Sequence, residues 1–130
     1  MAKKIKKKQK IIYDLTKVEF EKMEITKFEN HTRAFVKIED GCNAFCSYCI
    51  IPYVRGRVRS KAKEDVISEV KTLVEDGYKE IVLTGIHTGK YGIDIGSSLE
   101  ELLYDLVEIP GIYRIRLSSI EINEITPRII

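Results

Sequence analysis

No stretch of the chain is apolar for the length a bilayer demands, which excludes a membrane-spanning helix. Lysines open the N-terminus, yet no apolar segment follows them, so the start does not read as a secretory signal. Cysteine is scarce, with three residues, and an odd count cannot close into a set of disulfides. All three (Cys42, Cys46 and Cys49) crowd into one short loop, which fits metal ligation in a reducing compartment better than cross-linking. A cytoplasmic location is expected. With 130 residues, 44% hydrophobic and 32% charged, the composition is that of one globular domain with a modest core.

The net charge of +2 conceals an asymmetry. Lys3, Lys4, Lys6, Lys7, Lys8 and Lys10 crowd the first ten residues, and the remainder carries 16 basic against 20 acidic side chains. Such a tail can bind RNA phosphate, or it is a solvated end or linker. Residues 11–32 show no sustained period of 2 or 3.6 and read as linker or lead-in strand. The expected division is therefore a basic tail and linker over 1–32 and a folded part over 33–130.

From Arg33 the pattern sharpens. Arg33 to Glu39 alternates, with Ala34, Val36 and Ile38 on one face, and Asp40-Gly41 ends it. After the cysteine loop, Ser60 is a candidate N-cap for a helix running to about Asp76, with Val66, Ile67, Val70, Leu73 and Val74 on one stripe and Gly77 as its stop. Lys79 to Thr84 is a second strand, followed by a glycine-rich loop. Ser98-Leu99-Glu100-Glu101 is a capping box, opening a helix that buries Leu99, Leu102, Leu103, Leu106 and Val107. Ile112 to Leu117 is a third alternating strand.

Strand, helix, strand, helix, strand implies two right-handed crossovers and a parallel sheet, hence an α/β fold. Alternation in the first and third strands leaves one face polar, which suits a partial (β/α) TIM-type barrel segment whose ligand sits at the C-terminal strand ends. With three strands the chain is expected to be a truncated barrel. Its open sheet edge invites dimerisation.

The strand-end segments are 40–61, 85–97 and 118–124, and the first carries the strongest signal. Three thiolates spaced C-x3-C-x2-C can hold three irons of a 4Fe-4S cluster and leave the fourth open. Two rival readings remain: a zinc site completed by His31 or His87, and a thiol loop without metal. Structural zinc usually pairs C-x2-C units or adds a short-spaced His pair, and ferredoxin clusters usually take four cysteines.

The cysteine motif, with Tyr48 before its last member, resembles the radical S-adenosylmethionine superfamily. Gly41-Cys42-Asn43, Cys49-Ile50-Ile51-Pro52-Tyr53 and Arg55-Gly56 resemble its methylthiotransferases. Glu80 to His87, Tyr91-Gly92 and Arg114 to Glu121 resemble the branch that acts on threonylcarbamoyladenosine next to the tRNA anticodon. The resemblance covers about residues 30–130. It implies that Cys42, Cys46 and Cys49 hold a 4Fe-4S cluster whose open iron chelates S-adenosyl-L-methionine. It also implies a one-electron reductant and, for the full-length enzyme, tRNA as partners.

Within that reading, Tyr48 would lie against the cofactor's adenine, and Gly85 would admit its methionine end close to the backbone. His87 could donate a hydrogen bond there, while Ser119 and Glu121 could bond the ribose or amino group. Each also has a plain reading as loop packing, turn or polar surface. Arg55, Arg57, Arg59, Lys61 and Lys63 would form a basic patch for RNA phosphate, or a solvated helix entry. Full methylthiotransferases carry a second cluster domain, a C-terminal RNA-binding domain and the rest of the barrel. The sequence lacks counterparts of these, so the segment alone is expected to be inactive. Sister branches acting on isopentenyladenosine or a ribosomal-protein aspartate, and a non-catalytic zinc and RNA-binding module, are the alternatives.

Overall fold

The computed structural model describes residues 18–21 and 32–130. The lysine-rich tail, most of the linker and His31 lie outside the described residues. Strand β1 (Arg33–Lys37) runs into a short β2 (Glu39–Asp40). Then come α1 (Ile51–Arg55), β3 (Arg59–Ser60), α2 (Lys63–Glu75), β4 (Glu80–Thr84), α3 (Leu99–Val107) and β5 (Arg114–Leu117). The main sheet has the order β1-β4-β5, with both pairings parallel. Each long crossover carries a helix, as parallel strands require. Among the described residues no helix is long and apolar enough to cross a membrane.

The alternation read from the sequence decides which face is core. Ala34, Val36 and Ile38, with Ile81 and Leu83 of β4, are sealed from solvent together with Val66, Val70 and Leu73 of α2 and Leu99, Leu102 and Leu106 of α3. Each of the valine, isoleucine and leucine side chains contributes about 1.5–3 kcal/mol by leaving water, and Ala34 less. The other face is charged. Glu80 bonds Arg114 at 3.2 Å and Arg116, with Arg33 at 4.0 Å. The Arg116 hydrogen bond, opposed by partial desolvation and reinforced by the guanidinium charges, holds this carboxyl below its ordinary value.

Two helix boundaries follow the sequence closely. Ser98 accepts from the Glu101 amide at the start of α3, and Gly77 lies just past the end of α2 with φ +96°. Three expectations need correction. Val107 is 60% exposed, because α3 ends there and its last residue turns off the buried stripe. Ile51–Arg55 is a helical turn inside the strand-end segment 40–61, for which no helix is expected from the sequence, with Pro52 tolerated in its first turn.

Ser60 is not a helix cap. It lies in β3, antiparallel to β2, and α2 begins at Lys63 with no side-chain cap. Glu64 and Asp65 instead set negative charge against that helix's N-terminal dipole. The Ser60 amide and hydroxyl donate to the Asp94 carboxylate at 2.8 and 2.5 Å, and the same hydroxyl accepts from the Gly92 amide at 2.8 Å. This latch ties the glycine-rich loop to β3. Asp94→Ala should lower stability by roughly 1–3 kcal/mol, since two donors lose their acceptor. Urea unfolding reads it; an unchanged midpoint would show the latch to be idle.

Candidate functional site

The cysteine loop leaves β2 through Asp40, a hub of charge. Asp40 bonds Lys37 at 2.9 Å and Arg55 at 3.4 Å, lies 3.7 Å from Arg59, and accepts from the Gly41 amide at 2.8 Å. Burial alone would raise this carboxyl, but the bonds and charges of Lys37 and Arg55 outweigh it and leave it below its ordinary value. Gly41 has φ +87°, and a Cβ there would overlap the Arg57 carbonyl. That close crossing lets the Cys42 amide bond the Gly56 carbonyl at 3.1 Å. Cys42 is thereby buried, Cys46 is exposed and Cys49 is half-buried. Between them Phe45 takes φ +49°, uncommon for a residue with a Cβ.

His87, from the loop after β4, is 7% exposed and turns onto the cysteine loop. Its Nδ1 lies 3.5 Å from Cys42 Sγ, and the Ala44 amide reaches the same sulfur at 3.4 Å. On the ring's other side, Nε2 stands 2.8 Å from Glu124 Oε1, off the line of an ideal hydrogen bond. Lys90 bonds that same oxygen at 3.0 Å. Burial would raise the Glu124 carboxyl, but the Glu121 amide, Lys90 and His87 together hold it below its ordinary value.

Beneath the loop, Glu39 is fully buried. Its Oε2 accepts from the His87 amide at 2.8 Å, while Oε1 has no partner among the described residues. Burial pushes this carboxyl up to about 7, aided by the charge of Asp40 and opposed by the His87 amide. A Cβ on Gly85 would stand 2.6 Å from Glu39 Oε2, so glycine is needed there to make room for the carboxyl. The third strand-end loop is stitched to the second. Thr88 donates its hydroxyl to the Ser118 carbonyl and its amide to the Ser119 carbonyl, at 3.2 Å for the latter. Ser119 has φ +50°, and Glu121 is paired reciprocally with Glu124 in a capping box.

The expected site residues thus separate. Cys42, His87, Gly85, Ser119 and Glu121 belong to loops that meet, whereas Tyr48 stands 90% exposed on the cysteine loop. Phe45 and Tyr53 pack edge to face there, with centroids 5.7 Å apart. The basic patch divides, with Arg55 and Arg57 exposed and the others drawn into ion pairs and hydrogen bonds. Lys61 is 1% exposed and ion-paired with Glu69, Arg59 donates to the Arg55 and Arg57 carbonyls, and Lys63 bonds Asp105 at 2.9 Å. Sequence reasoning missed Glu39, Thr88 and Glu124. A glycine at position 85 was the one available signal for Glu39; nothing local marks Glu124.

Each cysteine of a 4Fe-4S cluster binds its own iron, so the three sulfurs need not meet at one point, whereas the ligands of a single zinc ion must. Three soft thiols on one loop, one buried, one half-buried and one exposed, are a donor set that suits an iron–sulfur cluster.

Residues 36–128 match the Radical SAM superfamily. The chain is 49% identical over 114 residues to a threonylcarbamoyladenosine tRNA methylthiotransferase MtaB of Chlamydia pneumoniae, covering 88% of this chain and 26% of that protein. A Bacillus subtilis protein of the same name is 49% identical over 113 residues, covering 85% and 25%. A tRNA-2-methylthio-N(6)-dimethylallyladenosine synthase of Carboxydothermus hydrogenoformans is 43% identical over 106 residues, covering 80% and 24%. The chain spans about a quarter of the length of these relatives. The cysteine loop, the parallel sheet and this match agree: the chain belongs to the radical SAM superfamily.

Proposed function

We propose that this chain is the cluster-bearing segment of a tRNA methylthiotransferase that acts on threonylcarbamoyladenosine. One observation carries the reading: three thiols on the loop at the end of a parallel strand, against loops from the next two strand ends. In this reading Cys42, Cys46 and Cys49 would each hold one iron of a 4Fe-4S cluster, leaving one iron for S-adenosylmethionine. When bound, the cluster supplies the electron that cleaves the sulfonium reductively.

The chain's own residues position and exclude. Gly41 and Asp40 fix where the cysteine loop leaves the sheet, and Glu39 holds the backbone of the neighbouring loop through the His87 amide. Gly85, Ser119 and Glu121 stand on the strand-end loops, where they would meet the cofactor's methionine and ribose. Tyr48, exposed on the same loop as the thiols, would cover its adenine. The partners required are a one-electron reductant and tRNA. The threonylcarbamoyladenosine branch is favoured over the dimethylallyladenosine one by the higher identity, 49% against 43%.

Anaerobic reconstitution with iron and sulfide should give a brown chain that Cys46→Ala renders colourless, read by visible absorbance and iron content. Stoichiometric zinc with no iron uptake would sink the proposal. The substrate is tested by mass spectrometry of tRNA from cells with and without the gene. Loss of the methylthio group from threonylcarbamoyladenosine supports the branch; loss from the isopentenyl base alone rejects it.

A further inference from the structure

We propose that His87, steadied by Glu124, donates a hydrogen bond to the Cys42 sulfur when that sulfur ligates the cluster, and so raises the cluster's reduction potential. This rests on the cluster reading above. It gives His87 a role toward the cluster rather than toward S-adenosylmethionine.

The three residues come from three strand-end loops, with Cys42 and His87 45 residues apart in sequence. The ring is 7% exposed and wedged between a thiol at 3.5 Å and a carboxylate oxygen at 2.8 Å. A sulfur bound to iron has no proton of its own, so the hydrogen in this contact is His87's. Glu124 fixes the far nitrogen by charge, and Lys90 and the Glu121 amide fix Glu124. Held between these groups, the ring keeps one orientation, with Nδ1 toward the sulfur.

Reduction adds negative charge to the cluster and its sulfurs, so a donor aimed at one sulfur favours the reduced state. Cys42 is the sulfur so treated: it is the buried one, and it also accepts from the Ala44 amide. The asymmetry makes Cys42 the anchored ligand of the three. His87 is here a positioning residue, acting through Cys42.

The test compares His87→Asn with His87→Gln in the chain reconstituted with iron and sulfide. Asparagine can place an N–H where Nδ1 stands; glutamine places one nearer Nε2 and leaves the sulfur without it. The readout is the midpoint potential by EPR-monitored redox titration, which a merely structural role would not move. The asparagine variant should titrate close to wild type. The glutamine variant should shift negative by about 59 mV, a tenfold change in the reduced-to-oxidised ratio for one electron. Equal potentials in wild type and the glutamine variant, with cluster content intact, would overturn this inference and leave the cluster reading standing. A wild-type chain that takes up no cluster overturns both.

Discussion

Gly41→Ala is expected to abolish iron uptake while leaving the sheet folded. The cost has two parts. A φ of +87° costs an alanine roughly 1–2 kcal/mol. The larger part is steric: the Arg57 carbonyl occupies the space of the new methyl group, so the loop must lift away from residues 56–57. Lifting breaks the bond from the Cys42 amide to the Gly56 carbonyl, which seats the buried thiol. Gly77→Ala is the control, because Gly77 has φ +96° with nothing within 4 Å of a Cβ. It pays the backbone part alone and keeps its iron. Iron and sulfide content, with far-ultraviolet circular dichroism as the folding check, separates the two. Full iron content in Gly41→Ala would contradict the account.

The second large effect is on pH. Glu39 has its carboxyl raised from 4.5 to about 7, so the folded state binds that proton more tightly than the unfolded chain. Stability from this group is fully present below about 4.5 and is lost as pH rises through 7, a fall of about 3 kcal/mol. Asp40 and Glu124 act with the opposite sign. Their carboxyls lie below their ordinary values, so the stability they add is lost as pH falls below that range. The apo chain should therefore be most stable near the acid end of the Glu39 window. Urea unfolding across that window should show the decline in wild type and a flatter profile in Glu39→Gln. The same slope in both would place the titrating group elsewhere.

How much of this was legible depends on how local the cause is. Alternation in Arg33–Lys37 identified the core face because strand period is set by the backbone itself. The Ser98 cap and the Gly77 stop depend on contacts within one turn, so sequence sufficed for them. Ser60 failed for the opposite reason. A serine before a helical stripe matches a cap, but its hydroxyl found a better partner in Asp94, 34 residues on. The five basic residues after the cysteine loop looked like one patch, yet Asp40 drew Arg59 inward and Glu69 drew Lys61. The cysteines were legible as a set because their spacing is local. Of what surrounds Cys42, His87 was weighed as a partner of the thiols, but Glu124 was not, since the parallel pairing of β4 and β5 is what brings it to His87.

That pairing has a consequence in time. A parallel neighbour cannot arrive by a hairpin, so β1 waits unpaired on the ribosome until β4 has been made. His87 follows Cys42 by 45 residues, which takes about 2–9 s at ordinary synthesis rates. Through that interval the three thiols are carried on nascent chain with no neighbouring loop to bury the first of them. For Cys42, the thiol that the fold buries, oxidation or capture by a stray ion therefore has its best opportunity before the fold exists.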